Sequence, residues 1–132
     1  RTRRLAQRGQ GPTHTLTAVI LNSTGHPAVG HRLVLRVGDL ELDTRTRVCR
    51  RGDAVVKLTA RELSLLEFLM RNPDAVHSKQ AILDAVWGFD FEGDYNVVEV
   101  YIRYLRQKID RPFQRHSIAT VRGLGYRLQA DG

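Results

Sequence analysis

Cysteine is nearly absent from this 132-residue chain: Cys49 stands alone, so no disulfide can form within it. A lone cysteine reads as a small packed apolar residue and fits a reducing, cytoplasmic setting. No apolar run approaches the roughly 18 residues needed to span a bilayer, so no membrane partner is expected. No cationic start followed by an apolar stretch and a small-residue cleavage site marks a secretory signal. Internal repeats and low-complexity tracts are missing as well. The five histidines, His14, His26, His31, His77 and His116, form no helical i, i+4 pair and no cluster at zinc spacing. Gly123 and Gly125 lack the third glycine and following helix of a dinucleotide loop. Ser64, Ser78 and Ser117 sit in no nucleophile elbow. Enzymatic chemistry, metals and cofactors are therefore not expected.

What the chain does carry is positive charge, unevenly placed. The formal net charge is +7, and 42% of residues are apolar, enough for one core. Residues 1–58 hold 11 Lys/Arg against 4 Asp/Glu, residues 59–93 hold 3 against 6, and residues 94–132 hold 7 against 4. Bulk charge alone is a weak warrant for a polyanionic partner; the basic C-terminal third carries more weight.

Residues 1–31 read as a basic tail and linker. RTRRLAQR (1–8) suggests the last turns of a basic helix or a frayed tail, and Gly, Pro, Ser and Thr are scattered through 9–31. Within it TLTAVIL (15–21) is a candidate strand. From residue 32 a second unit begins. LVLRV (33–37), LEL (40–42), RTRVCR (45–50) and AVVKL (54–58) alternate as half-buried strands, with turns at Gly38-Asp39 and Gly52-Asp53. At Thr59 the period changes. Thr59 and Glu62 have capping-box spacing, and Leu63, Leu66, Leu69 and Met70 follow at helical intervals until Asn72-Pro73. Ser78 caps a second helix with Ala81, Ile82, Ala85 and Val86 as its expected apolar side, closed by Gly88. GFDFEGDY (88–95) is an acidic, aromatic loop. A third helix is expected over about 96–110. The strands IATV (118–121) and YRLQ (126–129) flank the turn RGLG (122–125).

The third helix has an unusual surface. At about 100° per residue, Val98, Ile102, Leu105 and Ile109 form its core stripe. Asn96, Val100, Arg103 and Gln107 lie roughly opposite, with Val97, Tyr101, Tyr104 and Lys108 on one flank and Arg106 near the other edge. A merely solvated face would carry Glu and Lys pairs. This mixture suits a major groove: Arg meets guanine or phosphate, Asn pairs with adenine, and a Val methyl meets a thymine methyl. Lys108 and the arginines would neutralise phosphates, with marked salt dependence.

LTARELSLLEFLMRNP, SKQAILDAVWG, VVEVYIRYLRQKI and TVRGLGYRL occur in order with compatible gaps. Together they resemble the effector domain of OmpR/PhoB-type response regulators, over about residues 33–130. The resemblance implies an α+β winged helix-turn-helix fold: a four-stranded N-terminal antiparallel sheet, three helices and a C-terminal β-hairpin wing within 32–132. It implies sequence-specific binding of double-stranded DNA for transcriptional regulation, as the output domain of a two-component system. The third helix then resembles the recognition helix, and Arg122 matches the wing arginine that enters the minor groove, whose negative potential attracts it. Gly123 and Gly125 would let the wing backbone approach the duplex closely. Thr120 and Tyr126 join the DNA-contacting set. Thr59, Lys79, Arg106, Tyr126 and Arg127 are candidates for positioning the phosphate backbone. Phe89, Asp90, Phe91, Glu92, Gly93 and Asp94 resemble the segment that contacts RNA polymerase. Residues 1–8 resemble the end of a receiver domain, which implies a cognate receiver and sensor kinase as partners elsewhere in the system. Two copies on direct repeats, dimeric on DNA, are also implied.

Two positions depart from the pattern. Tyr104 stands where many members have Arg or Lys, leaving stacking, a phosphate bond or packing as its alternatives. Asn96 stands where some have Arg. The main rival is a winged helix used for protein contacts or RNA, with Trp87, Phe89 and Phe91 as a partner patch. The face of the third helix discriminates: Asn96, Val100 and Arg103 favour duplex DNA, and the deep narrow groove of A-form RNA would exclude a helix.

Overall fold

The computed structural model describes residues 17–20, 33–89, 91–94 and 96–130. The tail at 1–8, most of the linker at 9–31, and Asp90 within the acidic loop therefore lie outside the described residues. A meander of strands comes first: β1 (Thr17–Ile20), β2 (Leu33–Val37), β3 (Leu40–Asp43), β4 (Val48–Arg51) and β5 (Ala54–Val56), paired antiparallel in chain order. The four expected strands are present, and the 15–21 candidate adds a fifth against β2.

Two turns fix the register. Val37 pairs with Leu40 and Arg51 with Ala54, so Gly38-Asp39 and Gly52-Asp53 are two-residue loops. Each glycine has positive φ, +61° and +60°, and each aspartate does not. That is the pattern of a type II′ turn, which suits the twist of a hairpin. Strand β4 is shorter than RTRVCR implied and starts only at Val48. Residues 45–47 form a turn instead, because the Asp43 carboxylate accepts from the backbone N–H groups of Arg45 and Thr46 and Arg47 takes φ +60°.

Helices α1 (Ala60–Arg71), α2 (Lys79–Val86) and α3 (Asn96–Leu105) follow. The capping box of α1 is complete: the Thr59 hydroxyl accepts from the Glu62 N–H, and the Glu62 carboxylate accepts from the Thr59 N–H. The inner side of α2 differs from expectation. Ile82 and Leu83 are buried, while Ala81 and Ala85 are exposed. Lys79, Ile82, Leu83 and Val86 share one side at helical spacing, and α1 and α3 pack against that side. Past Leu105 the third helix widens into a π-helical turn (Arg106–Asp110) and then a short 3₁₀ turn (Arg111–Phe113). The expected stripe of Val98, Ile102, Leu105 and Ile109 is buried throughout.

The hairpin of β6 (Ile118–Val121) and β7 (Gly125–Leu128) closes the fold. Its apolar residues Ile118 and Leu128 join Leu35, Leu40, Leu42, Leu66, Leu69 and Ile102 in one core between sheet and helices. Cys49 lies in that core, and burial pushes its thiol up to about 11, as a packed apolar residue requires. One buried cluster is ionic. Arg51, 3% exposed, faces Asp39 at 3.4 Å and Asp110 at 3.7 Å, and donates to the Ser117 hydroxyl. Burial pulls its guanidinium below the ordinary value, against the opposing pull of Asp39 and Asp110. The cluster ties the sheet to the end of the third helix and the base of the hairpin.

Candidate nucleic-acid interface

The site is built from α3, the hairpin and the loop before α3. Asp94 starts the helix: its carboxylate accepts from the Asn96 N–H at 3.0 Å and from the Asn96 side-chain amide at 3.3 Å. Along the outer face Asn96, Arg103 and Gln107 are exposed, and Val97 and Val100 are half-buried. Arg103 and Gln107 make no side-chain hydrogen bond or ion pair among the described residues. Their donors are therefore available to an outside partner.

The hairpin presents a second free cation. Leu124 N–H donates to Val121 C=O across the turn, and Gly123 takes φ +77°. Glycine at the third position of such a turn is what a type II geometry demands. Arg122 consequently occupies the exposed corner, unpaired among the described residues. Gly125 is explained by a different contact from the one expected. Its φ is +147°, and a Cβ there would sit 1.9 Å from the His77 carbonyl oxygen. The close approach that requires glycine is thus internal. His77 and Tyr126 exchange both backbone hydrogen bonds, at 2.8 and 2.9 Å, stitching β7 to the turn between α1 and α2.

Several expected DNA-contacting residues are already engaged within the fold. Lys108 pairs with Glu62 at 2.7 Å, and Glu62 is itself buried. Arg106 reaches across to the hairpin, donating to Ile118 C=O through Nε and Nη2 at 3.2 and 2.8 Å, and to the Thr120 hydroxyl at 2.8 Å. Tyr126 is buried beneath that guanidinium, 5.8 Å from ring centre to Cζ. The Thr59 hydroxyl serves the helix cap. Lys79 pairs with Glu99, which raises the lysine's pKa through that hydrogen bond. Arg127 is half-buried in the hairpin.

Glu99 was not singled out from the sequence, yet with Lys79 it lines a groove against wing residues 120–126. The available signal was its i, i+4 spacing to Arg103; the fold instead offers it Lys79, twenty residues away. The aromatic residues form a chain from loop to helix. Phe91 packs on Trp87 (6.3 Å between ring centres), Trp87 on Tyr101 (5.3 Å) and Tyr101 on Tyr104 (5.4 Å). Arg61, also unforeseen, lies over the Trp87 ring and donates to Val86 C=O. Tyr104 thus packs along one edge while remaining partly exposed. In the loop, Glu92, Gly93 and Asp94 are exposed and Phe89 is 87% exposed. No group of His, Cys, Asp or Glu among the described residues is placed to hold a metal ion, and no described helix is long and apolar enough to cross a membrane.

Comparison with known proteins identifies the family of this fold. Residues 52–128 match the family model described as "Transcriptional regulatory protein, C terminal". The chain is 47% identical over 95 residues to the uncharacterized transcriptional regulatory protein YkoG of Bacillus subtilis, covering 72% of this chain and 42% of that protein. Among such curated relatives it spans less than half of each. Of solved structures, the Klebsiella pneumoniae RstA DNA-binding domain, in complex with the RstA box, is 27% identical with a TM-score of 0.64, covering 72% of this chain and 95% of that one. The Thermotoga maritima response regulator DrrB, an OmpR/PhoB homolog, is 26% identical with a TM-score of 0.64, covering 72% and 43% respectively. This chain therefore belongs to the family of C-terminal domains of transcriptional regulatory proteins, as the DNA-binding effector domain of an OmpR/PhoB-type response regulator.

Proposed function

We propose that residues 32–132 are the DNA-binding unit and that it reads a specific duplex through two grooves at once. Asn96, Val100, Arg103 and Gln107 on α3 meet base edges and phosphates of the major groove. Arg122, at the corner of the wing, enters the adjacent minor groove. Val97, Tyr101 and Tyr104 flank the reading face, where the partly exposed Tyr104 can bond a phosphate through its hydroxyl. The observation that carries this reading is the pair of arginines, Arg103 and Arg122, unengaged among the described residues, on two elements braced against one core. RstA, the relative solved on its DNA box, supports the same use of the fold.

Phe89, Glu92 and Asp94 supply an acidic, aromatic surface for RNA polymerase. The Phe91–Trp87–Tyr101 ring chain links it to the reading helix. A receiver domain responding to a sensor kinase would bring two copies together on direct repeats, with residues 1–31 as the connecting segment. This is a transcriptional role rather than a catalytic one, exercised in the cytoplasm where DNA and polymerase are.

Selection of bound sequences from a random duplex library tests this reading, followed by salt titration on the enriched duplex and a scrambled one. An enriched motif, repeated directly about one helical turn apart, is expected. Equal affinity for both duplexes with a steep salt slope would instead reduce the function to non-specific charge attraction.

A further inference from the structure

The sequence places Arg106 among the DNA contacts; its surroundings assign it another task. We infer that Arg106 is a positioning residue that fixes the wing against the reading helix, and so sets where Arg122 meets the minor groove relative to the bases that α3 reads. The inference rests on the two-groove reading above.

Three observations converge on it. First, the guanidinium holds both strands of the hairpin. It donates to Ile118 C=O and the Thr120 hydroxyl on β6, and lies over the ring of Tyr126 on β7, which is the cross-strand partner of Thr120. A planar fork of donors over an aromatic face suits arginine and not lysine. Second, the hairpin has only two strands, and a lone two-stranded hairpin is marginal in water. It is held from opposite edges: β7 by the backbone exchange with His77, β6 by Arg106. Further bonds anchor the base, from Asp74 N–H to Leu128 C=O and from the Ser117 and Ile118 N–H groups to Asp110, so removing Arg106 loosens the turn end of β6 while the base stays held. Third, Arg106 is where the third helix leaves α geometry for the π-helical turn. Such turns are frequent at functional sites. Asp110, at the far end of that turn, accepts from the N–H groups of Ser117 and Ile118 at 2.9 and 3.4 Å. The turn therefore grips the start of β6 at two points.

The consequence is coupling. If Arg106 sets the wing's angle, the contribution of Arg122 depends on Arg106 although Arg106 belongs to the third helix and reaches the wing only through β6 and Tyr126. The test uses the full chain, the enriched duplex, and a second duplex in which only the minor-groove segment under the wing is changed from A·T to G·C. Arg106→Met, Arg122→Ala and the double variant are titrated on both. In the wild-type background Arg122→Ala is expected to weaken binding to the A·T duplex roughly tenfold, as for a groove-inserted arginine. Arg106→Met is expected to bring the A·T to G·C preference within about twofold of unity. Arg122→Ala should then add less than about twofold in that background, a non-additivity expected of coupled residues. Arg106→Lys, which keeps a donor but loses the fork, should fall between.

If Arg106→Met instead weakens both duplexes equally, and Arg122→Ala keeps its full effect, Arg106 is a phosphate contact or a purely structural residue and the inference is wrong. If Arg122→Ala has no effect even in the wild type, the minor-groove reading itself fails, and the inference with it. Should Arg106→Met not fold, Thr120→Val decides. A reduced A·T preference supports the clamp, and an intact preference overturns it.

Discussion

The two halves of the third helix carry similar residues and use them differently. In the first half, Asn96 to Leu105, the helix is regular and its outer face is open. Arg103 has no partner among the described residues, and Asn96 bonds only to its own capping aspartate. In the second half, Arg106 to Asp110, every charged side chain is engaged: Arg106 with the wing, Lys108 with Glu62, Asp110 with Arg51 and the Ser117 backbone. Cations of one helix thus divide into those that can meet a ligand and those that hold the frame. Counting lysines and arginines overstates the binding surface, because a cation already paired to a buried carboxylate gains little by meeting a phosphate.

Substitutions that separate stability from binding test this division. The largest effect is expected from Asp110→Ala, which removes one of the two carboxylates facing the buried Arg51 guanidinium and the acceptor of the Ser117 and Ile118 N–H groups. Loss of a buried partner of this kind costs about 3 kcal/mol or more, read as a fall in unfolding free energy by denaturant titration. Arg103→Ala should do the reverse: a loss of about 1–3 kcal/mol in DNA affinity, with stability changed by less than about 0.5 kcal/mol. A stability loss rivalling that of Asp110→Ala would erase the distinction between the halves. Lys108→Met should cost about 0.5–1 kcal/mol of stability, since the ion pair is partly solvent-screened, and leave the salt dependence of DNA binding unchanged. A salt slope lower by about one would make Lys108 a phosphate contact after all. The smallest effect is expected from Glu99→Gln. It removes a carboxylate beside the wing groove and releases Lys79. Non-specific duplex affinity should rise about two- to threefold at low salt and return to the wild-type value at high salt.

Local features were legible in the sequence because their causes are local. The Thr59–Glu62 capping box, the two Gly-Asp hairpin turns and the Val98–Ile102–Leu105–Ile109 stripe each involve residues within a few positions of one another. The inner side of α2 was not legible in the same way. Ile82 faces inward as its pattern predicts, but Ala81 and Ala85 are as apolar as the pattern requires, and only the positions of α1 and α3 decide that Leu83 joins it instead. Arg51 offers no local hint either. It alternates correctly along β4, yet it is buried because Asp39 and Asp110, from a neighbouring turn and the end of the third helix, meet it there. The wing glycines divide likewise. Gly123 follows from the turn itself, whereas Gly125 answers to the His77 carbonyl, nearly fifty residues earlier in the chain.

By itself, the sequence determined the succession of strands, helices and hairpin, the core stripe of the third helix, and the family, since propensity, capping and hydrophobic period act between close neighbours. Only the tertiary structure decided which cations remain free. Whether a cation is a ligand contact or an internal clamp depends on the acceptors that folding brings within about 3 Å of it; for Lys108 and Arg51 those acceptors come from distant parts of the chain, and for Arg106 from the hairpin that follows its helix.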